Sequence, residues 1–318
     1  MRQQPILMVG SPRDPTFTHT VSALHQQRRD VEVLDLDRFC QSGVIEGRLD
    51  DPTSLVVRDA ELVVPLSRFR SCYARLIELS PDVAADVDSP AWGRYRLLFL
   101  AISSLDVMVV NQPGAGDSNA SKPYQISLLQ RYGFQVPRSL STNSAEAAAK
   151  FVASCSRGAI YKSNSGERSI VQAVTIADRD RFSLLTVCPV YFQERVWGDN
   201  LRIHVVRDQC HGVLIRSTAV DYRYDRSGTA VERPFAVPVD LAEKCIGVTQ
   251  ALGLEFSGID LIVSDDDGTF LCLEVNPMPG YHGYDLSLNY VISKSLGALL
   301  ATGARNMTRK LTGLRAIH

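Results

Sequence analysis

Three oxygen-bearing side chains interrupt apolar sequence in "GIDLIVSDDDGTFLCLEVNPMPG" (258–280): Asp260, Glu274 and Asn276. Two carboxylates held close together repel each other unless a cation or a shared proton compensates. Carboxylate and amide oxygens suit Mg²⁺, which commonly completes its shell with substrate phosphates. Charged strand residues more often line the wet face of a solvated hairpin, but that reading leaves unexplained the spacing and the two prolines that follow. The metal reading requires a nucleotide site elsewhere in the chain.

The hairpin must position these groups. Residues 258–264 and 269–276 have the composition of two strands, joined by a three-residue loop Asp266-Asp267-Gly268 with glycine in the left-handed position. That register puts residue 265 opposite 269, and therefore Asp260 opposite Glu274. Side chains alternate along a strand and opposed residues share a face. Ile259, Leu261, Val263, Leu271, Leu273 and Val275 then form a core face. Asp260, Ile262, Phe270, Cys272, Glu274 and Asn276 form the other. Pro277 cannot donate to a ladder, so pairing ends as Asn276 is presented.

Basic and polar residues upstream could meet a polyanion. "YKSNSGERS" (161–169) sets Lys162 at a strand end before a small polar loop carrying Ser165 and Arg168, where backbone N–H groups could face phosphates. Alone it reads equally as a charged hairpin tip. In "FQERVWGDNLRIHVV" (192–206), Arg202 and His204 alternate with Leu201, Ile203 and Val205, giving one polar face. "IRSTAVDYR" (215–223) adds Arg216, Asp221 and Arg223. Cations opposite an acid cluster are expected around a metal–phosphate substrate; a salt-bridged sheet surface is the ordinary explanation of any single arginine.

Composition bounds the class. The 318 residues suffice for two or three domains, and 45% hydrophobic content with a net charge of −1 fits a soluble globular protein with no bias toward nucleic acid or membrane. No apolar run reaches membrane-spanning length, and the N-terminus lacks the apolar core of a secretion signal. The seven cysteines are scattered without CxxC spacing, which points to the reducing cytoplasm and away from zinc. "PILMVG", a helical pattern and "VEVLDLD" make a β–α–β opening, and "LDVMVVNQP" (105–113) closes an α/β domain. The Gly-, Ser- and Asn-rich loop 111–123 is the best boundary. Helices are expected at "YQISLLQRYG", at "SAEAAAKFVAS" with Ser144 as cap, at "VDLAEKCIGVTQALGL" and over 288–301.

The order of segments carries more than any one of them. "SKPYQ…GFQVPRSLSTN", Lys before a Ser/Gly loop, "QE-x-V", "N-L-R", "D-Y-R" and "GIDLI…LEVNP" together resemble the ATP-grasp superfamily, specifically its RimK-like carboxylate–amine ligases and their microviridin (graspetide) macrocyclase branch. The resemblance covers roughly 105–300. It implies an α/β (α+β) ATP-grasp fold: a pre-ATP-grasp domain (1–115), a central subdomain (116–190) and a C-terminal mixed-sheet subdomain with a Mg site (191–318). Lys122 and Lys162 match the ATP lysines, and Ser165 and Arg168 fall in the phosphate loop. Gln193, Glu194 and Val196 match the adenine-reading hinge. Asn200 stands where a ribose-binding acid is common, with Asp199 beside it. Asp260, Glu274 and Asn276 match the ligands of Mg²⁺, or of Mn²⁺ in its place. Arg202 matches the arginine near the reacting carboxylate, with Arg216 a second candidate. Arg223, Tyr281, His282 and Asp285 would face the acceptor. The implied activity is amide formation on a peptide or amino-acid-like substrate through an acyl phosphate. The further expectations are a cytoplasmic location, from cysteine usage, no nucleic-acid or membrane partner, from the charge balance, and a homodimer as the assembly considered. A kinase on the same nucleotide site and a non-catalytic nucleotide-binding protein are the alternatives.

Overall fold

The computed structural model describes residues 4–48, 50–77, 88–163, 171–217 and 230–303. Ser165, Arg168, Asp221 and Arg223 lie outside the described residues. The chain forms two compact units, the first from 1–115, 253–256 and 290–318, the second from 116–252 and 257–289.

The first unit begins as its apolar runs dictate. β1 (Ile6–Gly10) leads to α1 (Pro15–Gln26), started by Asp14, whose side chain accepts from the Thr16 N–H. β2 (Val31–Asp35) and α2 (Leu36–Ser42) follow, then an antiparallel meander of β3 (Val44–Arg48), β4 (Asp51–Arg58) and β5 (Val63–Pro65). β6 (Ser71–Ala74), α3 (Pro90–Ser103) and β7 (Met108–Val110) complete a parallel sheet of order β2-β1-β6-β7. Leu7, Val9, Leu34, Cys72 and Val109 from its strands pack on Leu36, Phe39, Leu98 and Ile102 from the helices. Asn111 acts as a surrogate strand: its Oδ1 accepts from the N–H groups of Glu255 and Phe256, and its Nδ2 donates to the Phe256 carbonyl at 2.6 Å.

The second unit opens with α4 (Lys122–Arg131). β8 (Ser139–Thr142), α5 (Ala145–Ser154, capped by Ser144), β9 (Ala159–Ser163), β10 (Gln172–Ala173) and β11 (Val190–Glu194) give an antiparallel sheet of order β10-β9-β11-β8. A second sheet has the order β14-β13-β12-β15-β16, from β12 (Gly198–Val206), β13 (Gln209–Arg216), β14 (Val231–Phe235), β15 (Phe256–Ser264) and β16 (Phe270–Asn276). α6 (Val239–Ala251) buries Leu241, Cys245 and Val248. α7 (His282–Ser287) ends this unit, and α8 (Val291–Thr302) returns to the first.

Three expectations need correction. The β15–β16 loop holds four residues, not three: the Ser264 N–H donates to the Thr269 carbonyl, closing Asp265-Asp266-Asp267-Gly268. Gly268 is left-handed as expected, at φ 72°. A bulge at Leu273 then restores the register, so Asp260 does oppose Glu274 while Leu261 opposes Cys272. Cys272 therefore joins the core beside Leu261 rather than the polar face, and both are almost fully buried. Secondly, the last helix starts at Val291 rather than 288, because Asn289 and Tyr290 adopt positive φ. The "YHGYD" stretch, expected to face the acceptor, is helical from His282 on, with Tyr281 and Asp285 buried one turn apart at its start. Thirdly, the polar face of β12 is not the salt-bridged surface that any single arginine suggests: Arg202 and His204 are both buried.

Candidate functional site

The bulged hairpin delivers Asp260 and Glu274 side by side, and the second unit surrounds them with cations. Lys122 Nζ, at the first turn of α4, lies 3.7 Å from Glu274 Oε2. Lys162 Nζ, near the end of β9, lies 3.9 Å from the same oxygen and 5.3 Å from the centre of the Tyr191 ring opposite it on β11. Arg202 Nη1 donates to Asp260 Oδ1 at 2.6 Å, and Asn276 Nδ2 donates to Asp260 Oδ2 at 2.9 Å. Among the described residues, three cations against two carboxylates leave one net positive charge in a partly buried cluster, which favours an anion with several negative oxygens.

The helix carrying Lys122 is fixed by a residue that sequence reading overlooked. Gln125 on α4 is buried. Its Nε2 donates to the Val275 carbonyl at 2.9 Å and its Oε1 accepts from the Val275 N–H at 3.1 Å. It thus closes the backbone of β16 between Glu274 and Asn276. The available signal was its place in "SKPYQ", three residues after Lys122 and so on the same helical face. Gly258, opposite Asn276, was missed as well; it is needed for close approach by Arg202.

Other expected site residues lie around this cluster or apart from it. Gln193 is buried on β11, Glu194 is half-buried with Arg138 3.8 Å away, and Val196 lies two residues on, after Arg195. Asp199 pairs with Arg216 through two bonds of 3.1 and 2.9 Å (Nε to Oδ1, Nη2 to Oδ2), and this pairing pushes the Arg216 pKa up. Arg216 is exposed on the β13 end and bonds to no member of the carboxylate cluster in this pairing, and Asn200 is half-buried on the opposed strand. Tyr281 is completely buried against His204, with ring centres 6.4 Å apart, so its side chain is not presented to an acceptor. His282 is exposed. Burial, and then the neighbouring Arg202 charge, push the His204 pKa well below its ordinary value. Burial likewise lowers His211, opposed by Asp285, and raises the Cys272 thiol.

The donor set fits a hard divalent cation. Asp260 and Glu274 offer carboxylate oxygens, and an amide such as Asn276 can present its oxygen by a half-turn of its side chain. Among the described residues no three His, Cys, Asp or Glu side chains converge as a self-sufficient metal cage. A carboxylate pair completed by substrate oxygens is the pattern Mg²⁺ uses.

The arrangement of sheets matches that of ATP-grasp ligases. The macrocyclase MdnC of Microcystis aeruginosa, solved with its precursor peptide MdnA, superposes with a TM-score of 0.81 over 93% of this chain and 99% of that one, at 21% identity. The ATP-grasp ligase PsnB, solved with a phosphomimetic precursor, Mg and ADP, gives 0.79 over 95% and 99%, at 25% identity. In sequence, mouse N-acetylaspartylglutamate synthase A is 27% identical over 234 residues, 68% of this chain and 59% of the mouse enzyme. The match thus spans about three-fifths of the mouse enzyme's length. The RimK-like ATP-grasp domain matches residues 120–299, more than half of the chain. The chain belongs to the RimK-like ATP-grasp family. No helix among the described residues is long and apolar enough to cross a membrane.

Proposed function

We propose that the chain is an ATP-dependent carboxylate–amine ligase that joins a carboxylate of a peptide or amino-acid-like substrate to an amine through an acyl phosphate. The observation that carries this reading is the Asp260/Glu274 pair ringed by Lys122, Lys162 and Arg202 on a RimK-like ATP-grasp fold. The solved relatives described with precursor peptides, and a relative named for synthesis of a peptide-like amide, support the substrate class.

In this reading the chain is organised as 1–115, 116–190 and 191–318. Backbone groups of the Gln193–Val196 hinge read adenine, and Asp199 or Asn200 meets the ribose. Lys122 and Lys162, with Ser165 and Arg168, bind phosphates. Asp260, Glu274 and Asn276 would hold Mg²⁺, which supplies charge neutralisation on the polyphosphate when bound. A substrate carboxylate oxygen attacks the γ-phosphorus while the bond to the ADP oxygen breaks. The amine nitrogen then attacks the acyl carbon, phosphate departs with the attacking oxygen, and the nitrogen loses a proton. Arg202 stabilises the transferring phosphoryl group and the tetrahedral oxyanion, the function preorganised cations serve best. Arg223 and His282 face the acceptor.

Hydroxylamine tests the reaction class. Incubating the chain with Mg-ATP, hydroxylamine and peptides rich in Asp and Glu side chains should yield an ATP-dependent hydroxamate. A phosphorylated hydroxyl with no hydroxamate would establish a kinase instead.

A further inference from the structure

Arg202 occupies a socket built from residues that no role above requires. A Cβ at Gly258 would overlap Arg202 Nη2 and lie 2.6 Å from its Cζ and 2.7 Å from Pro279 Cβ. The guanidinium therefore fills the space that any side chain at 258 would take. Two residues along β12, on the same strand face, His204 is completely buried. Its Nε2 lies 3.4 Å from Arg202 Nε and 3.4 Å from the Gly280 carbonyl. Tyr284 of α7 closes the cluster: Arg202 Cζ is 5.9 Å from its ring centre, and the His204 ring is 5.2 Å from it.

These contacts divide the work. At 3.4 Å the Arg202–His204 contact is long for a strong hydrogen bond, so the imidazole acts by shape as well as by accepting. Among the described residues, the groups facing it include Arg202 on its own strand, His211 directly opposite on β13, the Gly280 carbonyl, and the Tyr281 and Tyr284 rings. A protonated ring there would set a second positive charge against the guanidinium, whereas a neutral ring with an unprotonated Nε2 offers its lone pair to Arg202. The neighbours on the other strand face, Leu201, Ile203 and Val205, are fully buried aliphatics. A leucine at 204 would suit burial equally and avoid desolvating an imidazole.

We infer that His204 is a positioning residue for Arg202: with Gly258 leaving the space open, its imidazole fixes where the guanidinium points. This rests on the placement of Arg202 at the transferring phosphoryl group proposed above. The ordinary alternative is a core histidine that merely braces the Gly280 turn.

Calorimetric titration of the full chain with Mg·AMPPNP and with Mg·ADP separates the two. A residue that aims Arg202 at the terminal phosphoryl group affects the triphosphate analogue selectively, and one that only holds the fold affects both. His204→Leu should weaken Mg·AMPPNP about tenfold, the effect of one lost charge-assisted contact, with Mg·ADP nearly unchanged. His204→Gln, which keeps an acceptor, should recover most of that loss. If His204→Leu does not fold, Gly258→Ala should give the same selective loss by displacing the guanidinium. Equal weakening of both ligands, or of neither, while Arg202→Ala loses AMPPNP selectively overturns the inference and leaves the ligase reading standing. Arg202→Ala with no selective loss overturns the role of Arg202 itself, and the inference with it.

Discussion

Two arginine–aspartate pairs sit in the same sheet, and the one with better hydrogen-bond geometry lies outside the cluster. Arg216 grips Asp199 with two bonds, yet its side chain is 72% exposed. Arg202 makes one bond to Asp260, with its side chain only 7% exposed, and shares that carboxylate with Asn276. An exposed pair gains little because water competes for both ions and two long side chains lose freedom. A buried pair is retained at a desolvation cost, so its presence asks for a purpose beyond stability. Geometry alone would have ranked these arginines in the wrong order. Burial and the company of Glu274, Lys122 and Lys162 distinguish them.

The largest expected effect comes from the acid that both lysines approach. Glu274→Gln keeps the volume and removes the charge, and should lower ATP-dependent turnover by about 10²–10³-fold, on the scale of one lost stabilising group. Steady-state ATP consumption with circular dichroism as a folding control measures it; near wild-type turnover would remove Glu274 from the site. Next, Arg202→Ala removes the cation that Asp260 pairs with in a partly buried position. Urea unfolding should show a loss of up to about 3 kcal/mol, the low end for breaking a buried pair because a fifth of the Asp260 side chain is exposed.

Acid provides a smaller test of the buried side of the comparison. His204 has a folded-state pKa well below its ordinary 6.5. Between those two values the unfolded chain binds the extra proton, so stability falls as pH drops below about 6.5 and levels off only beneath the folded pKa. Melting temperature should therefore fall between about pH 7.5 and about pH 5, and fall less in His204→Gln. Part of the slope remains because His211 shifts the same way. An identical slope in the variant would show that His204 does not titrate as a buried group. Smallest of all, Arg216→Ala should leave the melting temperature unchanged within error, and a large loss would erase the contrast between the pairs.

Much of this was legible in the sequence, by routes that differ in kind. The β–α–β opening follows from period and turn residues, which local chemistry sets. The Asp260–Glu274 pairing came out right by two cancelling offsets: the loop is one residue longer than glycine placement suggested, and the bulge at Leu273 takes the difference back. A bulge has no dependable local signature, so Cys272 went to the wrong face. Gln125 and Gly258 were invisible for another reason. Their roles arise only when α4 meets β16 and when Arg202 crosses β15, and neither approach is encoded near those residues. The family order of segments supplied Lys122, Lys162 and Arg202, which no single motif could have joined.

The central claim is that a substrate carboxylate attacks ATP. A peptide substrate bearing ¹⁸O in its side-chain carboxylates, turned over with Mg-ATP, tests this through the oxygen left in the released phosphate. One ¹⁸O is expected in each phosphate formed per bond made, read by the isotope shift in ³¹P NMR. Product formed with unlabelled phosphate would contradict it.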